Sequence, residues 1–168
     1  MKVKPPTQAS AVMSMPGTRY HPDCRLVTWH PHGVLDDVLA DQMVEFMEST
    51  ERILGKPFHR FTDLSGLDRI NINLDHVFEI VRRRKKGYRG AKVKSAFYAV
   101  RLISITIARM YQELMLESAI EVGVFRDRAV AAEWLGVPGA VLKPPAAKSD
   151  QEHAAHSPSL AGGFTTLR

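Results

Sequence analysis

The chain has 168 residues, 45% hydrophobic and 24% charged, which excludes a wholly disordered or collagen-like chain and leaves room for one domain rather than two. Its longest unbroken apolar run, Ala96 to Val100, is far below the ~18 residues that span a bilayer, and the lone Cys24 excludes an internal disulfide or a cysteine-based zinc site. The formal charge of +5 is local: nine Lys and Arg lie between Ile80 and Arg101 with no acid among them, and the rest of the chain holds 14 basic residues against 18 acidic.

Residues 1–23 carry Pro5, Pro6 and Pro16 among small and polar residues and read as a flexible arm. Arg25 to Trp29 suits a strand, and Gly33 marks a bend before a second extended piece. Asp36 is placed to cap a helix over 37–54, in which Leu39, Met43, Met47 and Leu54 recur at helical spacing before Gly55 and Pro57. Phe58 to Leu64 alternates as a strand, with Phe58, Arg60 and Thr62 on one side and His59, Phe61 and Asp63 on the other. Ser65 to Asn73 reads as a polar turn. Asn73 caps a second helix through Leu74, Val77, Phe78 and Val81, which RRRKKG ends at Gly87. Val93 to Val100 is the next strand. Ile103, Ile107, Met110 and Leu114 mark a third helix and Ile120 to Phe125 a last strand. Asp127 caps a fourth helix that docks through Val130, Ala131, Trp134 and Leu135.

All ten prolines lie at or before Pro57 or at or after Pro138, so regular structure runs unbroken between them. The folded unit is expected over 24–137, with 138–168 a disordered tail rich in Pro, Ala, Gly and Ser. Strands alternating with helices imply a single α/β domain with a mostly parallel mixed sheet and four helices, because parallel strands require crossover connections.

Three segments of this pattern, ITIARMYQELM (Ile105 to Met115), VGVFRD (Val122 to Asp127) and AVAAEWLG (Ala129 to Gly136), resemble the SpoIIAA-like branch of the STAS superfamily, the STAS/SEC14-like domains. The resemblance spans most of 24–137. It implies a small α/β domain whose helices cluster on one side of the sheet, and by fold analogy with SEC14 it implies binding of a lipid or other hydrophobic small molecule. The anti-sigma-factor antagonists of that superfamily carry a phosphorylatable serine in a turn before the second helix. Here that turn, Arg69 to Leu74, has no Ser or Thr, and DLSG at Asp63 to Gly66 is similar to the strand end that precedes it. Asp63 and Ser65 therefore form the candidate regulatory turn, although both residues are also what a tight turn favours.

Two further sites come from the residues themselves. The cations Arg82, Arg83, Arg84, Lys85, Lys86 and Arg89 form a candidate anion site, and they equally suit a solvated helix end that complements the dipole. Its partners would be an anionic membrane surface touched peripherally or an acidic protein, and specific nucleic-acid recognition is not expected because no DNA or RNA module surrounds the run. Val77, Phe78, Ile103, Ile107, Met110 and Tyr111 are the candidate lining of a hydrophobic pocket between the second and third helices. The pair His30 and His32 in WHPHG reads as a surface loop rather than a metal site. No catalytic motif, metal site or cofactor fingerprint is present. The expected role is therefore a noncatalytic binding domain or, alternatively, a regulatory protein-interaction module. MKVKPP lacks the apolar core of a secretory signal, so the expected location is cytoplasmic, peripheral at the inner membrane face if a membrane is the partner.

Overall fold

In the computed structural model, which describes residues 15–145, the chain runs β1 (Thr18–His21), β2 (Leu26–Trp29), β3 (Gly33–Asp36), α1 (Asp37–Leu54), β4 (His59–Asp63), β5 (Leu67–Asn71), α2 (Leu74–Gly87), β6 (Val93–Tyr98), α3 (Leu102–Leu114), β7 (Ile120–Phe125) and α4 (Arg128–Leu135). Five strands form one sheet in the order β1-β2-β4-β6-β7. β1 is antiparallel to β2, and the remaining pairs are parallel. β3 and β5 pair parallel as a separate two-stranded ribbon. The molecule is thus an α/β domain with a mixed, mostly parallel sheet and four α-helices among the described residues.

The helix starts follow the predicted caps. Asp36 Oδ1 accepts from Leu39 N–H at 2.9 Å, Asn73 Oδ1 from Asp75 N–H at 3.0 Å, and Asp127 Oδ1 from Ala129 N–H at 2.6 Å. Each carboxylate or amide oxygen satisfies a backbone donor that the first turn of a helix leaves open. Gly55 ends α1 at φ 59°, a left-handed position that glycine adopts without strain.

The two sheet faces are covered unequally. Val27 and Trp29 of β2 pack with Met43, Phe46 and Met47 of α1, Ile80 of α2 and Ala108 of α3. Val93, Ile120 and Val122 extend the same face toward Val81 and Met115. On the opposite face Leu26, Phe61 and Ala96 meet Ala131, Ala132 and Leu135 of α4. Three helices therefore share one side, whereas the resemblance implied that all of them would, and α4 alone crosses to the other. Gly123 permits that crossing. A Cβ there would lie 2.6 Å from the Phe125 ring and 3.2 Å from Trp134, closer than packed atoms tolerate.

Four sequence readings need correction. β1 lies inside the stretch assigned to the arm 1–23, because Thr18 to His21 is a mixed polar edge strand whose identity depends on its partner β2. β5 lies inside the predicted turn 65–73: only Leu67 of LDRIN is buried, so it carries no alternation to read. Leu142 is fully buried against Leu26 and Phe61 in a turn of 3-10 helix at Gly139–Leu142, so the fold continues past the boundary at 137. Residues 1–14 and 146–168 of the two predicted tails lie outside the described residues. Val130 is exposed, and α4 docks instead through Ala131, Ala132 and Leu135.

Truncating this last contact tests the revised boundary. Leu142→Ala is expected to lower the unfolding free energy by about 2–5 kcal/mol, read as a drop in the urea midpoint at constant m-value, and an unchanged midpoint would return the segment to the tail.

Candidate ligand-binding site

Between α1–α3 and the sheet the core does not close. A cavity of about 150 Å³ remains, walled by Trp29 of β2, Met43 and Met47 of α1, Val77 and Ile80 of α2, and Ile107 and Ala108 of α3. The strand alternation that turns Val27 and Trp29 inward from β2 also turns Arg60 and Thr62 inward from β4 and Ser95 from β6. All three are buried. One end of an apolar space is consequently polar.

That end is built around one carboxylate. Glu51, in the last turn of α1, accepts from Arg84 Nη2 at 2.5 Å and from Arg84 Nη1 at 3.2 Å, and its Oε1 also accepts from Arg60 Nη2. The rings of Phe58 and Tyr88 lie 5.0 and 5.3 Å from the Arg60 Cζ, within cation–π range. Burial, opposed by Glu51 and reinforced by Arg84, pulls the Arg60 guanidinium below its ordinary pKa. Burial likewise pushes the Tyr111 phenol up, so it stays a protonated hydroxyl on the cavity wall. Sequence reading missed Arg60 and Glu51 as site residues, yet a signal existed. Met43, Met47 and Glu51 recur every four residues along α1, and Val77, Ile80 and Arg84 follow the buried face of α2. Charged residues occupy positions whose period belongs to the core.

Of the six residues nominated for the pocket, Val77, Ile107 and Tyr111 line the cavity. Phe78 and Ile103 do not: both are 45% exposed, because each sits one residue round the helix from a buried position, Val77 on α2 and Ser104 on α3. Met110 is half-buried outside the cavity lining.

The basic run is dispersed rather than presented as one surface. Arg84 turns inward to Glu51 and leaves the proposed anion site. Arg83 donates to both oxygens of Glu48 at 3.0 and 2.6 Å, and Lys85 donates to the Leu114 carbonyl at 3.0 Å, an unsatisfied acceptor at the end of α3. Arg82, Lys86 and Arg89 are exposed. One turn and a half of helix necessarily distributes five adjacent side chains around the axis.

The candidate regulatory turn meets the histidine loop at the carboxyl ends of β2 and β4. Asp63 is buried, and its Oδ1 accepts from Ser65 N–H at 2.9 Å and Ser65 Oγ–H at 2.6 Å. Its Oδ2 accepts from Arg128 Nη2 at 2.6 Å, and the Arg128 guanidinium lies 4.0 Å from the Tyr98 ring. His30 Nδ1 stands 3.4 Å from Oδ2, near but not aligned as a hydrogen bond. Burial resists ionisation of Asp63, but His30, Ser65 and Arg128 outweigh it and hold the carboxyl well below the usual carboxylate range. WHPHG is thus only partly a surface loop. His32 is exposed, whereas His30 is 4% exposed and packs 5.9 Å from Phe61. The Ser65 hydroxyl donates to Asp63 and accepts from Arg128 Nη2 at 3.3 Å.

The segments behind the family resemblance sit on either side of β7. Gln112 of α3 donates to the Val122 carbonyl at 2.9 Å, and Trp134 of α4 stacks 5.2 Å from Phe125. The chain is similar to a solved SpoIIAA-like structure. That crystal structure is of an uncharacterised DUF3478-family protein from Shewanella loihica PV-4, with 18% identity, a TM-score of 0.48, and coverage of 71% of this chain and 90% of that one. No family profile and no curated protein matches the chain.

Because the folded-state pKa of Asp63 is depressed, its stabilising contribution is full at neutral pH and is lost as pH falls below the ordinary carboxylate value of about 4. Asp63→Asn is expected to cost about 1–3 kcal/mol at pH 7, a difference from wild type that shrinks on acidification when chemical unfolding is followed across pH. A pH-independent difference would assign the loss to packing.

Proposed function

We propose that the chain is a noncatalytic binding domain that takes a small hydrophobic molecule into the cavity between α1–α3 and the sheet. The observation that supports this reading is the cavity itself, about 150 Å³ within the largest core. Protein interiors are packed like organic crystals with few voids, and an apolar cavity of this size takes up benzene. Met43 and Met47 on the α1 wall are unbranched and can repack around different occupants. The reading requires no reaction step.

A second reading is favoured by one surface feature. Leu74 and Phe78 are 52% and 45% exposed, and Arg82 follows them at the same spacing of four on α2, with Leu102 and Ile103 exposed on neighbouring α3. An apolar stripe that runs into cations suits an anionic membrane surface, to which each cation contributes ~1 kcal/mol. No described helix is long and apolar enough to cross a membrane, and the contact in this reading is peripheral. An acidic protein partner, as a regulatory interaction module would use, is the competing occupant of that stripe.

Titration of the purified chain with toluene is expected to give saturable binding, with amide NMR shifts confined to cavity residues and a raised melting temperature. Absence of shifts up to toluene saturation would discard the cavity reading. In sedimentation with phosphatidylserine vesicles, the second reading expects binding that falls at least about tenfold between low and moderate salt. Failure to sediment at low salt would discard it, leaving the acidic protein as occupant of the stripe.

A further inference from the structure

Among the side chains that line the cavity, Arg60 carries the buried polar atoms that lack a hydrogen-bond partner. Its side chain is 6% exposed and donates Nη2 to Glu51, yet among the described residues Nε and Nη1 have no hydrogen-bond partner. Arg84, equally buried, is matched on two nitrogens by the same carboxylate. Glu48, the next acid, is 3.6 Å from Arg84 and is committed on both oxygens to Arg83. Arg60 and Arg84 thus share one carboxylate, and the N–H groups left without a partner belong to a residue that lines the cavity. Folded proteins seldom leave buried N–H groups or buried charge unpaired.

We propose that the cavity receives a small monocarboxylate with an apolar body about the size of a benzene ring, its carboxylate accepting from the open N–H groups of Arg60. This rests on the cavity being a ligand site and names the class of ligand. The body follows from volume and lining: about 150 Å³ of mostly apolar wall holds one such group and does not hold a two-chain phospholipid. The head follows from charge. A single negative charge neutralises the cluster, and a guanidinium–carboxylate bond is charge-assisted. The hydroxyls of Thr62, Ser95 and Tyr111 line the same space and add neutral donors suited to carboxylate oxygens. A phosphate dianion would overcompensate the one excess charge.

Arg60 lines a second, surface cleft of about 530 Å³ that carries Arg52, Lys56 and Arg89 alongside the already paired Glu48 and Glu51. Cations around an opening raise the local concentration of anions. Arg89 of the basic run acquires a role here that does not require a membrane.

Benzoate and toluene share an apolar body and differ in the carboxylate, so calorimetric titration of the full chain with each separates head from body. Benzoate is expected to bind wild type at least about tenfold tighter than toluene. In wild type the Arg60 Nε resonance should move with benzoate and stay with toluene. Arg60→Met is expected to abolish the benzoate preference, keep toluene binding, and be no less stable than wild type without ligand, since the Glu51–Arg84 pair remains and a partly unpaired buried charge is removed. Benzoate binding no better than toluene, or benzoate binding unchanged in Arg60→Met, would overturn the carboxylate assignment and leave the apolar-ligand reading standing. Wild type that binds neither compound would overturn both. If Arg60→Met does not fold, an Nε resonance unmoved by saturating benzoate overturns the assignment, and one that moves supports it.

Discussion

One carboxylate, Glu51, joins side chains from α2 and β4 at the end of α1. Its two oxygens hold Arg84 of α2 bidentately, and one of them also holds Arg60 of β4, so three elements meet at a single negative charge. Moving a guanidinium out of water costs several kcal/mol even after relaxation. The pairing offsets that cost only while all three elements keep their positions. An apolar contact at the same place would tolerate sliding. A shared carboxylate does not, because bidentate geometry fixes both distance and angle. The cavity is the counterpart of this arrangement: the residues next to the cluster, Thr62, Ser95 and Tyr111, are polar as well, and the apolar packing resumes beyond them.

β4 shows how little sequence is needed to serve both faces of the sheet. Within five residues, Arg60 and Thr62 point to the helical layer and the cavity, Phe61 points to the core under α4, and Asp63 ends the strand where Ser65 and Arg128 can reach it. The period of two in a strand makes this division automatic. The Asp63 cluster ties the start of α4 to the centre of the sheet, as the Glu51 cluster ties the ends of α1 and α2 to its other end. Acids with arginine partners therefore meet both ends of the same short strand.

The basic run Arg82 to Arg89 takes on a different meaning in three dimensions. Its net charge is what a sequence displays, but one cation is internal, one is neutralised by Glu48, one closes the end of α3, and Arg89 borders the cleft beside Arg60. Helical geometry guarantees such dispersal. A charge count over a helix end therefore overstates the potential at any one point on its surface.

The α/β class, the four helices and their caps were legible in the sequence because periodicity and capping are local: Asp36, Asn73 and Asp127 act on donors two or three residues away. The resemblance carried by the α3, β7 and α4 segments pointed to the same architecture. Strands β1 and β5 were not legible, since an edge strand with mixed polar residues is defined by its partner. Val77, Ile107 and Tyr111 were legible as inward-facing, but Phe78 and Ile103 were misplaced by a rotation of one residue about the helix. Arg60, Glu51 and Arg84 could be seen at core spacing, yet nothing local says that positions 51, 60 and 84 meet, or that two cations share one acid. The sequence by itself determined which residues form helices and which charges fall on buried faces, because those depend on neighbours along the chain. Only the tertiary structure decided which charges pair, which N–H groups stay open and where the core leaves space, because those depend on distances between segments that the chain order does not contain.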